Sequence, residues 1–421
     1  MILDLFSGPG GWSRALTVLG VRDVGLEWDE WACKTRLAAG QLTLRTDVAM
    51  YPVWPWVGRT SGLIASPPCQ AWSMAGKRLG LLDQPLVHEA VENLAAGRDT
   101  RERLLGACRD ERSLLAAEPM RYLHALNTVG EPDWVAMEEV PDVLPLWKQY
   151  AAVLRRWGFS VWTGILNAAD YGVPQTRRRA ILLASRVRTA QPPPPTHAQA
   201  AEPQTLFGPG RPRWVSMAEA LGWGATDRPV PTVCAGGGPG GGPEPFPSGS
   251  RKTLSDARDR GTWTPRPDSA VPQARREAAG RKARDGTREN RTVTAPAPIL
   301  TAKAHRWSWS LRSNNQTNAT TRRLDEPAST LYFGHRANEC VWIGEPTASS
   351  PEGEGTAPES IRITAQEAGV LQTFPADYPW QGNKGQVFSQ VGNAVPPLLA
   401  GHLLAPHLGV TLDPADFTLA A

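Results

Sequence analysis

The stretch that decides the fold is residues 2–11, Ile-Leu-Asp-Leu-Phe-Ser-Gly-Pro-Gly-Gly. Its apolar first half predicts a short strand, and the Gly-Pro-Gly-Gly half predicts a tight turn that favours glycine. Apolar residues then recur at helical spacing through Trp12, Ala15, Leu16 and Leu19. A strand, a glycine-rich turn and a helix in this order predict an α/β unit whose backbone can approach a ligand closely.

The alternation of strands and helices continues through residue 185. Apolar runs predict further strands at residues 24–27, 62–65, 134–137, 160–165 and 180–184. Helical stretches lie between several of them, notably at 87–127 and 150–157. Strands separated by helices imply a parallel sheet covered on both faces. We therefore predict a doubly wound, Rossmann-like α/β sheet.

The character of the chain changes after Ser185. Residues 191–196 contain four consecutive prolines and residues 236–242 are almost all glycine, so both segments are predicted to be loops. The surrounding segments are short, polar and rich in turn residues. We interpret residues 186–358 as a smaller inserted domain, irregular and partly β.

Regular structure is predicted to return near the end of the chain. Residues 364–374 have a helical pattern that begins with a threonine and a glutamate at capping-box spacing. A second apolar, helix-like stretch covers residues 396–408. The α/β domain is therefore predicted to comprise residues 1–185 and 359–421.

Composition limits the class of protein. The chain has 421 residues, of which 41% are hydrophobic and 20% charged, as in globular proteins. It has no apolar run of membrane-spanning length, and its first strand leaves no room for a signal peptide. Five scattered cysteines without a Cys-x-x-Cys pair argue against disulfides or a zinc site. We expect a cytoplasmic protein, in a prokaryotic or phage-infected cell, that uses neither metal nor membrane.

Charge gives a weaker indication of the partner. The net charge is only +4, but residues 251–291 carry twelve Lys/Arg against six Asp/Glu. Such a stretch could follow a phosphate backbone, although a solvated loop is the ordinary alternative.

The predicted pocket after the first strand lacks the features of a polyphosphate site. It has no Gly-Lys-Ser/Thr ending and no complete Gly-x-Gly-x-x-Gly spacing. Glu27 ends the next strand, where an acid can bind ribose hydroxyls, and Asp47 follows a third, where it could meet an adenine amino group. A sugar-bearing ligand without a polyphosphate fits S-adenosylmethionine.

A cysteine follows the strand that ends at residue 65. Pro67 and Pro68 fix two φ angles and remove two backbone donors, so they hold Cys69 in a set place. A buried structural cysteine is the commoner alternative. A thiolate, however, adds readily to an electron-poor ring carbon.

An acid and an arginine cluster lie near two other strands. Glu138 follows the apolar run 134–137 and could hydrogen-bond the ring nitrogen 3 and the amine of a cytosine. Gln175, Arg177 and Arg179 alternate before another strand, so they could face one anion or ring together. A solvated acid and a surface charge cluster are the alternatives.

In this order the motifs resemble the cytosine-5 DNA methyltransferases. The resemblance covers about residues 1–185 and 360–405. The blocks that carry it are residues 4–11, 27, 67–70, 138–140, 175–179 and 390–396.

The resemblance implies a catalytic role for five residues. Cys69 would attack carbon 6 of cytosine while Glu138 holds nitrogen 3, and carbon 5 would take a methyl group from S-adenosylmethionine. Loss of the carbon 5 proton would expel Cys69. Arg177 would help to hold the ring, while Gln175 and Arg179 shape the loop around it. The base must be flipped out of the duplex.

The resemblance also implies two sets of binding residues. The residues implied to bind the cofactor are Asp4, Phe6, Ser7, Gly8, Gly10, Gly11, Glu27, Trp28, Asp47, Pro67, Asn393, Ala394 and Val395. The residues implied to contact double-stranded DNA are Gln70, Ser73, Lys77, Arg78, Arg322, Arg323, Thr330, Leu331, His335 and Arg336. Residues 330 and 331 resemble the Thr-Leu pair of many recognition domains in the family.

One residue departs from the family pattern. Glu139 stands where the family usually has an asparagine that braces the cysteine loop, and it would bring a negative charge near the thiolate. Two alternatives stay open: a transfer-RNA cytosine methyltransferase of the same fold, and a catalytically weak DNA-binding relative, which Glu139 slightly favours. We expect a monomer, and three biological contexts stay open: protection of DNA from a cognate restriction nuclease, protection of a viral genome, and regulation of a host.

Overall fold

A computed structural model divides the chain into two compact units. The first comprises Met1–Leu221, Leu311–Val341 and Arg362–Leu419, and the second comprises Gly222–Ser310, Trp342–Ile361 and Ala420–Ala421. The inserted-domain boundaries at 186 and 358 stay a prediction. The structure describes residues 1–68, 72, 79–205, 208–221, 274–275, 288–289, 307–312, 321–323, 325–330, 341–346, 360–362 and 364–417.

A seven-stranded sheet organises the first unit. Its strands and one short neighbour, β7, are β1 (Ile2–Leu5), β2 (Asp23–Glu27), β3 (Leu42–Arg45), β4 (Gly62–Ala65), β5 (Trp134–Glu139), β6 (Ser160–Asn167), β7 (Gln175–Thr176) and β8 (Arg178–Ser185). The order in the sheet is β3-β2-β1-β4-β5-β8-β6. This confirms the α/β class and the predicted strands. The order reverses between β1 and β4, so a crevice is expected at their carboxyl ends.

The expectation of a wholly parallel sheet is wrong for one strand, β8. β8 runs antiparallel to both β5 and β6, whereas β1 to β5 pair in parallel. The connection from β6 to β8 contains only a 3-10 helix, Ala168–Tyr171, and β7. A parallel return would need a longer crossover connection.

The sheet is covered by helices. They are α1 (Gly11–Val18), α2 (Glu30–Ala38), α3 (Leu79–Ala95), α4 (Arg101–Leu105), α5 (Glu118–Asn127), α6 (Leu144–Arg156), α7 (Met217–Ala220), α8 (Ala365–Leu371), α9 (Lys384–Asn393) and α10 (Pro397–Leu408). The capping box predicted at the start of α8 is present. The stretch predicted as helical over 87–127 is divided, because Gly97 adopts a left-handed φ of 75° after α3.

Two apolar clusters lie on the two faces of the sheet. Met137 of β5 belongs to one cluster, together with side chains of α3, α5 and α6. Ala136 belongs to the other, together with side chains of α1 and α10. Alternate residues of β5 therefore face opposite layers.

The remaining strands are short. They are β9 (Ala274–Arg275), β10 (Arg288–Glu289), β11 (Trp307–Arg312), β12 (Thr321–Arg323), β13 (Ala328–Ser329), β14 (Val341–Pro346) and β15 (Ser360–Arg362). β13 pairs in parallel with β7. Within the described ranges, no helix is long and apolar enough to cross a bilayer.

Candidate active site

The loop after β1 forms a strained, fixed turn. Phe6, Gly8 and Gly10 have left-handed φ values of 59°, 54° and 96°. Glycine adopts this region freely, whereas Phe6 is an uncommon residue there. The Ser7 N–H donates to the carbonyl oxygen of Leu26 at 3.1 Å and fastens the loop to β2. A strained residue held by its surroundings is typical of a ligand site.

Glu27 is fixed at the carboxyl end of β2. Its two carboxylate oxygens accept hydrogen bonds from the N–H groups of Gly8, at 2.8 Å, and Asp29, at 2.7 Å. Burial raises the pKa of Glu27, and these backbone bonds lower it in part. The carboxylate is therefore oriented beside the glycine turn, where it can accept hydroxyl hydrogens.

Trp28 and Asp47 lie farther along the same edge. The Trp28 side chain is 70% exposed, so its ring is available to a flat ligand. Asp47 Oδ1 accepts from the Ala49 N–H at 2.9 Å, which orients the carboxylate after β3.

Asp4 lies inside the protein. It is fully buried, and its Oδ2 is 3.9 Å from Nη1 of the buried Arg36. Arg36 also lies 3.2 Å from Asp23 Oδ2 and donates to the Ser13 hydroxyl at 2.7 Å. Burial raises the pKa of Asp4 well above its usual range. The structure thus places Asp4 beneath the glycine turn, within a buried charge cluster.

The C-terminal block, residues 390–396, packs against the glycine turn. Asn393 ends α9 and is exposed, whereas Ala394 and Val395 are buried. A Cβ added at Gly11 would lie 2.0 Å from the Val395 carbonyl oxygen. Only glycine therefore permits this approach of α1 to the block.

The segment after β4 leads to the predicted nucleophile. Ser66 Oγ accepts from Trp12 Nε1 at 2.9 Å, and Pro67 is buried. Trp72 is fully buried in the core with Met137. The predicted residues of this segment that lie outside the described ranges are Cys69, Gln70, Ser73, Lys77 and Arg78.

Two other cysteines can be assessed directly. Cys33 and Cys108 are free thiols, and burial, the larger cause, together with nearby carboxylates raises the pKa of each to about 11. Few thiolates form at such a pKa near neutral pH, so neither residue is suited to be a nucleophile.

Glu138 is held between two arginines at the end of β5. Its Oε1 lies 2.9 Å from Arg179 Nε and 3.9 Å from Arg177 Nη2, and all three side chains are buried. Within the described part of the chain this oxygen accepts no hydrogen bond. Arg177 Nη1 donates to the Gly392 carbonyl oxygen at 3.1 Å. The arrangement is a charge-paired carboxyl group with hydrogen-bonding capacity left for a ligand.

Glu139 points to the other face of β5. Burial, together with Glu138, raises its pKa to about 8. Its Oε2 accepts from the Val140 N–H, and its buried Oε1 has no hydrogen-bond partner among the described residues. The extra negative charge expected from the sequence is therefore largely suppressed at neutral pH.

Gln175, Arg177 and Arg179, which the sequence predicts to share a face, are all buried, while Arg178 is exposed. Both side-chain atoms of the Gln175 amide lack a hydrogen-bond partner in the part of the chain that is described. Arg177 and Arg179 converge on Glu138, as a shared target predicts.

Comparison with known proteins identifies the family. The family model described as C-5 cytosine-specific DNA methylase matches residues 1–92 and 105–407. The chain belongs to this family. It is a DNA cytosine-5 methyltransferase.

Individual relatives of this methyltransferase are distant. The type II methyltransferase M.DdeI of Desulfomicrobium norvegicum is 24% identical over 95% of this chain and 86% of the relative. M.Eco47II of Escherichia coli, also a type II methyltransferase, is 24% identical over 94% and 75%. A prophage-encoded E. coli chain assigned as a DNA modification methyltransferase shares the fold, with a TM-score of 0.50, 17% identity, and coverage of 97% and 98%.

The structure brings one predicted DNA-contact residue close to the segment of Gln175, Arg177 and Arg179. Thr330 Oγ1 donates to the Thr176 carbonyl oxygen at 3.0 Å, beside the β7–β13 pair. Arg322 and Arg323 lie 3.5 Å and 3.0 Å from acids of their own segment. The predicted residues Leu331, His335 and Arg336 lie outside the described ranges.

Sequence reasoning missed several supporting residues of the methyltransferase. Tyr378 donates to the Pro9 carbonyl oxygen at 2.6 Å and accepts from Gln41 at 3.2 Å. Gln372 donates to the Val391 carbonyl oxygen. These contacts, like those of Arg36, join segments distant in sequence and follow no local motif. Among the described residues, no group of His, Cys, Asp or Glu could hold a metal ion.

Proposed function

We propose that this methyltransferase moves a methyl group from S-adenosylmethionine to carbon 5 of a cytosine flipped out of duplex DNA, through a covalent bond to Cys69. The observation that carries the proposal is the buried Glu138 carboxyl group. Its charge is paired with Arg179 at 2.9 Å, but its Oε1 accepts no hydrogen bond from the described residues. Buried polar groups usually have partners, so a ligand is expected to complete this one.

The cytosine ring fits that requirement. Glu138 would accept a hydrogen bond from the exocyclic amine and give its proton to nitrogen 3, and the protonated ring has a more electron-poor carbon 6. The Cys69 thiolate would then bond to carbon 6, and the electrons of the carbon 5–carbon 6 double bond would take the methyl group as its bond to the sulfonium sulfur breaks and S-adenosylhomocysteine leaves. Loss of the carbon 5 proton restores the double bond and expels the thiolate. Arg177 and Arg179 keep the Glu138 charge compensated throughout.

The crevice beside β1 and β2 fits the cofactor. S-adenosylmethionine supplies the methyl group as an electrophile on a sulfonium sulfur. Glu27 would bind the ribose hydroxyls, Trp28 would lie against the adenine, and Asp47 would accept from its amino group. The fixed glycine turn, Phe6–Gly11 in the sequence, provides close backbone approach without a polyphosphate site.

DNA is the proposed polymer substrate of this site, in its double-stranded form. A stacked base does not expose carbon 6 to the Cys69 thiolate, so the target must leave the helix at a cost of a few kcal/mol. Base recognition is assigned to residues 186–358, with Thr330, Arg322 and Arg323 on the described part of that segment. Because the relatives M.DdeI and M.Eco47II are type II methyltransferases, we propose a monomer that works in the cytoplasm beside a cognate restriction nuclease.

Labelled S-adenosylmethionine tests the reaction. We expect incorporation into duplex DNA but not into transfer RNA, and its loss in Cys69→Ala. Duplexes that carry 5-fluorocytosine at the target should trap a covalent adduct, because fluorine cannot leave as the proton does. Equal incorporation by wild type and Cys69→Ala would refute the covalent mechanism.

A further inference from the structure

The turn after β3 is folded around Asp47. Asp47 Oδ1 accepts from the Ala49 N–H at 2.9 Å, and the Asp47 carbonyl oxygen accepts from the N–H groups of Met50, at 3.2 Å, and Tyr51, at 2.9 Å. The N–H groups of this turn therefore point toward Asp47. Because a trans peptide unit is planar, with its C=O and N–H directed oppositely, the carbonyl groups of the same peptide units point away from Asp47.

Two arginines bind those carbonyl groups. Arg121 Nη2 donates to the Val48 carbonyl oxygen at 2.6 Å, and Arg101 Nη1 donates to that of Ala49 at 2.9 Å. The Val48 carbonyl and the Ala49 N–H belong to one peptide unit. A cation at the carbonyl end polarises this unit and strengthens the hydrogen bond at its N–H end. One peptide unit thus joins the Arg121 guanidinium to the Asp47 carboxylate.

Glu118, at the start of α5, holds the two arginines together. It is buried, with Oε1 2.7 Å from Arg101 Nη1 and Oε2 2.9 Å from Arg121 Nε. Buried charges are ordered when they are both paired and hydrogen-bonded. We call Arg101, Glu118 and Arg121 the arginine cluster. It is a fixed set of donors on the carbonyl side of the turn.

Arg101 is a feature of this chain rather than of the family pattern. It begins α4, in residues 93–104, which lie between the two segments, 1–92 and 105–407, that the family model matches. Its guanidinium is oriented within the same segment, since Nη2 donates to Asp99 Oδ2 at 2.6 Å. The chain therefore brings a donor to the turn from a segment outside the family pattern.

We propose that the arginine cluster consists of positioning residues that hold the Asp47 carboxylate where it accepts from the adenine amino group of S-adenosylmethionine. The inference rests on the proposed contact of Asp47 with adenine and deepens it. The Thr46 N–H donates to the Glu27 carbonyl oxygen at 2.8 Å, so the turn begins beside the residue assigned to the ribose. Loss of the cluster weakens recognition of the amino group and leaves methyl transfer intact.

Two ligands test this role by isothermal titration calorimetry. One is S-adenosylhomocysteine, and the other is its analogue with hydrogen in place of the adenine amino group. Wild type should bind the first about tenfold more tightly or better, as for a hydrogen bond to a charged group. Arg101→Met and Arg121→Met should each reduce this preference to about threefold or less. Glu118 keeps one arginine in either variant, so its charge stays paired.

Two further readouts separate positioning from general damage. Arg101→Lys can still donate to the Ala49 carbonyl oxygen and should restore most of the preference. At saturating S-adenosylmethionine the single-turnover rate of Arg101→Met should stay within about threefold of wild type, while its KM for the cofactor rises. Arg103→Met is the matched control and should keep the full preference, because Arg103 lies on the same helix, is exposed and pairs with Glu89.

Each outcome decides the proposal. Full preference in both Arg101→Met and Arg121→Met, or an equal loss of affinity for the two ligands, would overturn the role of the cluster. Thermal unfolding confirms that each variant is folded, and Arg101→Met decides alone if Arg121→Met does not fold. A wild type that binds the two ligands equally would refute the adenine contact of Asp47 itself, so the two failures are distinguishable.

Discussion

The crevice beside β1 and β2 and the end of β5 lie on the same edge of the sheet but are built differently. In the crevice, Glu27 already accepts two backbone hydrogen bonds, and Tyr378 ties the glycine turn to the C-terminal segment. At the end of β5, Glu138, Glu139 and Gln175 are buried and retain atoms without hydrogen-bond partners in the described structure. Asp4, beneath the glycine turn, also has such atoms, but it lies beside the buried Arg36.

This difference indicates a division of labour. When the backbone of a site is already fixed, less conformational entropy is lost on ligand binding. Buried polar atoms without hydrogen-bond partners can bond to the reacting group. Such bonds lower the barrier of the chemical step when they are stronger in the transition state. Changes in the crevice should therefore alter cofactor binding and stability, and changes at the end of β5 should alter turnover.

The sharpest test of this division is Glu138→Gln, which keeps the shape and removes the acid. Loss of a general acid should lower the single-turnover rate by about 10²- to 10⁴-fold. The affinity for S-adenosylmethionine should stay within about threefold, because Glu27 and the glycine turn are untouched. Rapid-quench experiments with labelled cofactor measure the single-turnover rate, and isothermal titration calorimetry measures the affinity for S-adenosylmethionine.

If Glu138→Gln weakened cofactor binding as strongly as it slowed transfer, the two regions would act as one site. Thermal unfolding of Glu138→Gln is the control for its fold, since Arg177 and Arg179 lose their counter-charge in this variant.

The pH dependence of the free energy of unfolding should show the protonation of Glu139 without any measurement of activity. Its pKa is raised from the usual 4.5 to about 8. The unfolded chain releases this proton near the lower value and the folded protein near the higher one, so stability falls as pH rises between them. Glu139→Gln lacks this loss and should be more stable than wild type at pH 8, by a few kcal/mol at about 1.4 kcal/mol per unit.

Denaturant unfolding at about pH 5 and pH 8 measures the effect, since the expected difference grows with pH across that window. A constant difference between the two proteins at both pH values would show that Glu139 is ionised throughout.

The sequence predicted the parts of this molecule that depend on local pattern. The glycine turn, Glu27 at a strand end, and the alternation of Gln175, Arg177 and Arg179 all follow from short-range periodicity. The protonation of Glu139 does not, because it depends on how deeply the folded chain buries the carboxyl group. Arg36 was missed for the same reason: its partners Asp4 and Asp23 lie on other elements.

The antiparallel β8 shows another limit. Its apolar run predicts a strand but contains no information on direction, which follows from the short connection after β6. The order of the motifs along the chain identified the family, whereas the three-dimensional contacts showed how the motifs within the described residues are supported.

Gly11→Ala probes the crevice. Its Cβ would lie 2.0 Å from the Val395 carbonyl oxygen, a backbone atom that can move only with the C-terminal block. Such overpacking should cost about 1–3 kcal/mol of stability and weaken cofactor binding. Gly106→Ala is the matched control, because the nearest atom to its Cβ is 3.9 Å away. Equal unfolding midpoints for the two variants would show that the block is not held rigidly against α1.

The smallest effect is expected at Thr373, which joins the end of α8 to the start of α10. It follows α8 with a left-handed φ of 66°, and its hydroxyl accepts from the Leu398 N–H at 3.0 Å, near the start of α10. Thr373→Ala should lose about 1 kcal/mol relative to Thr373→Ser, because only serine keeps that hydrogen bond. Both variants relieve the β-branch in a conformation that disfavours it, so their difference isolates the hydroxyl. Chemical denaturation of the two proteins measures it, and equal midpoints would show that α10 needs no such cap to hold Val395 against the glycine turn.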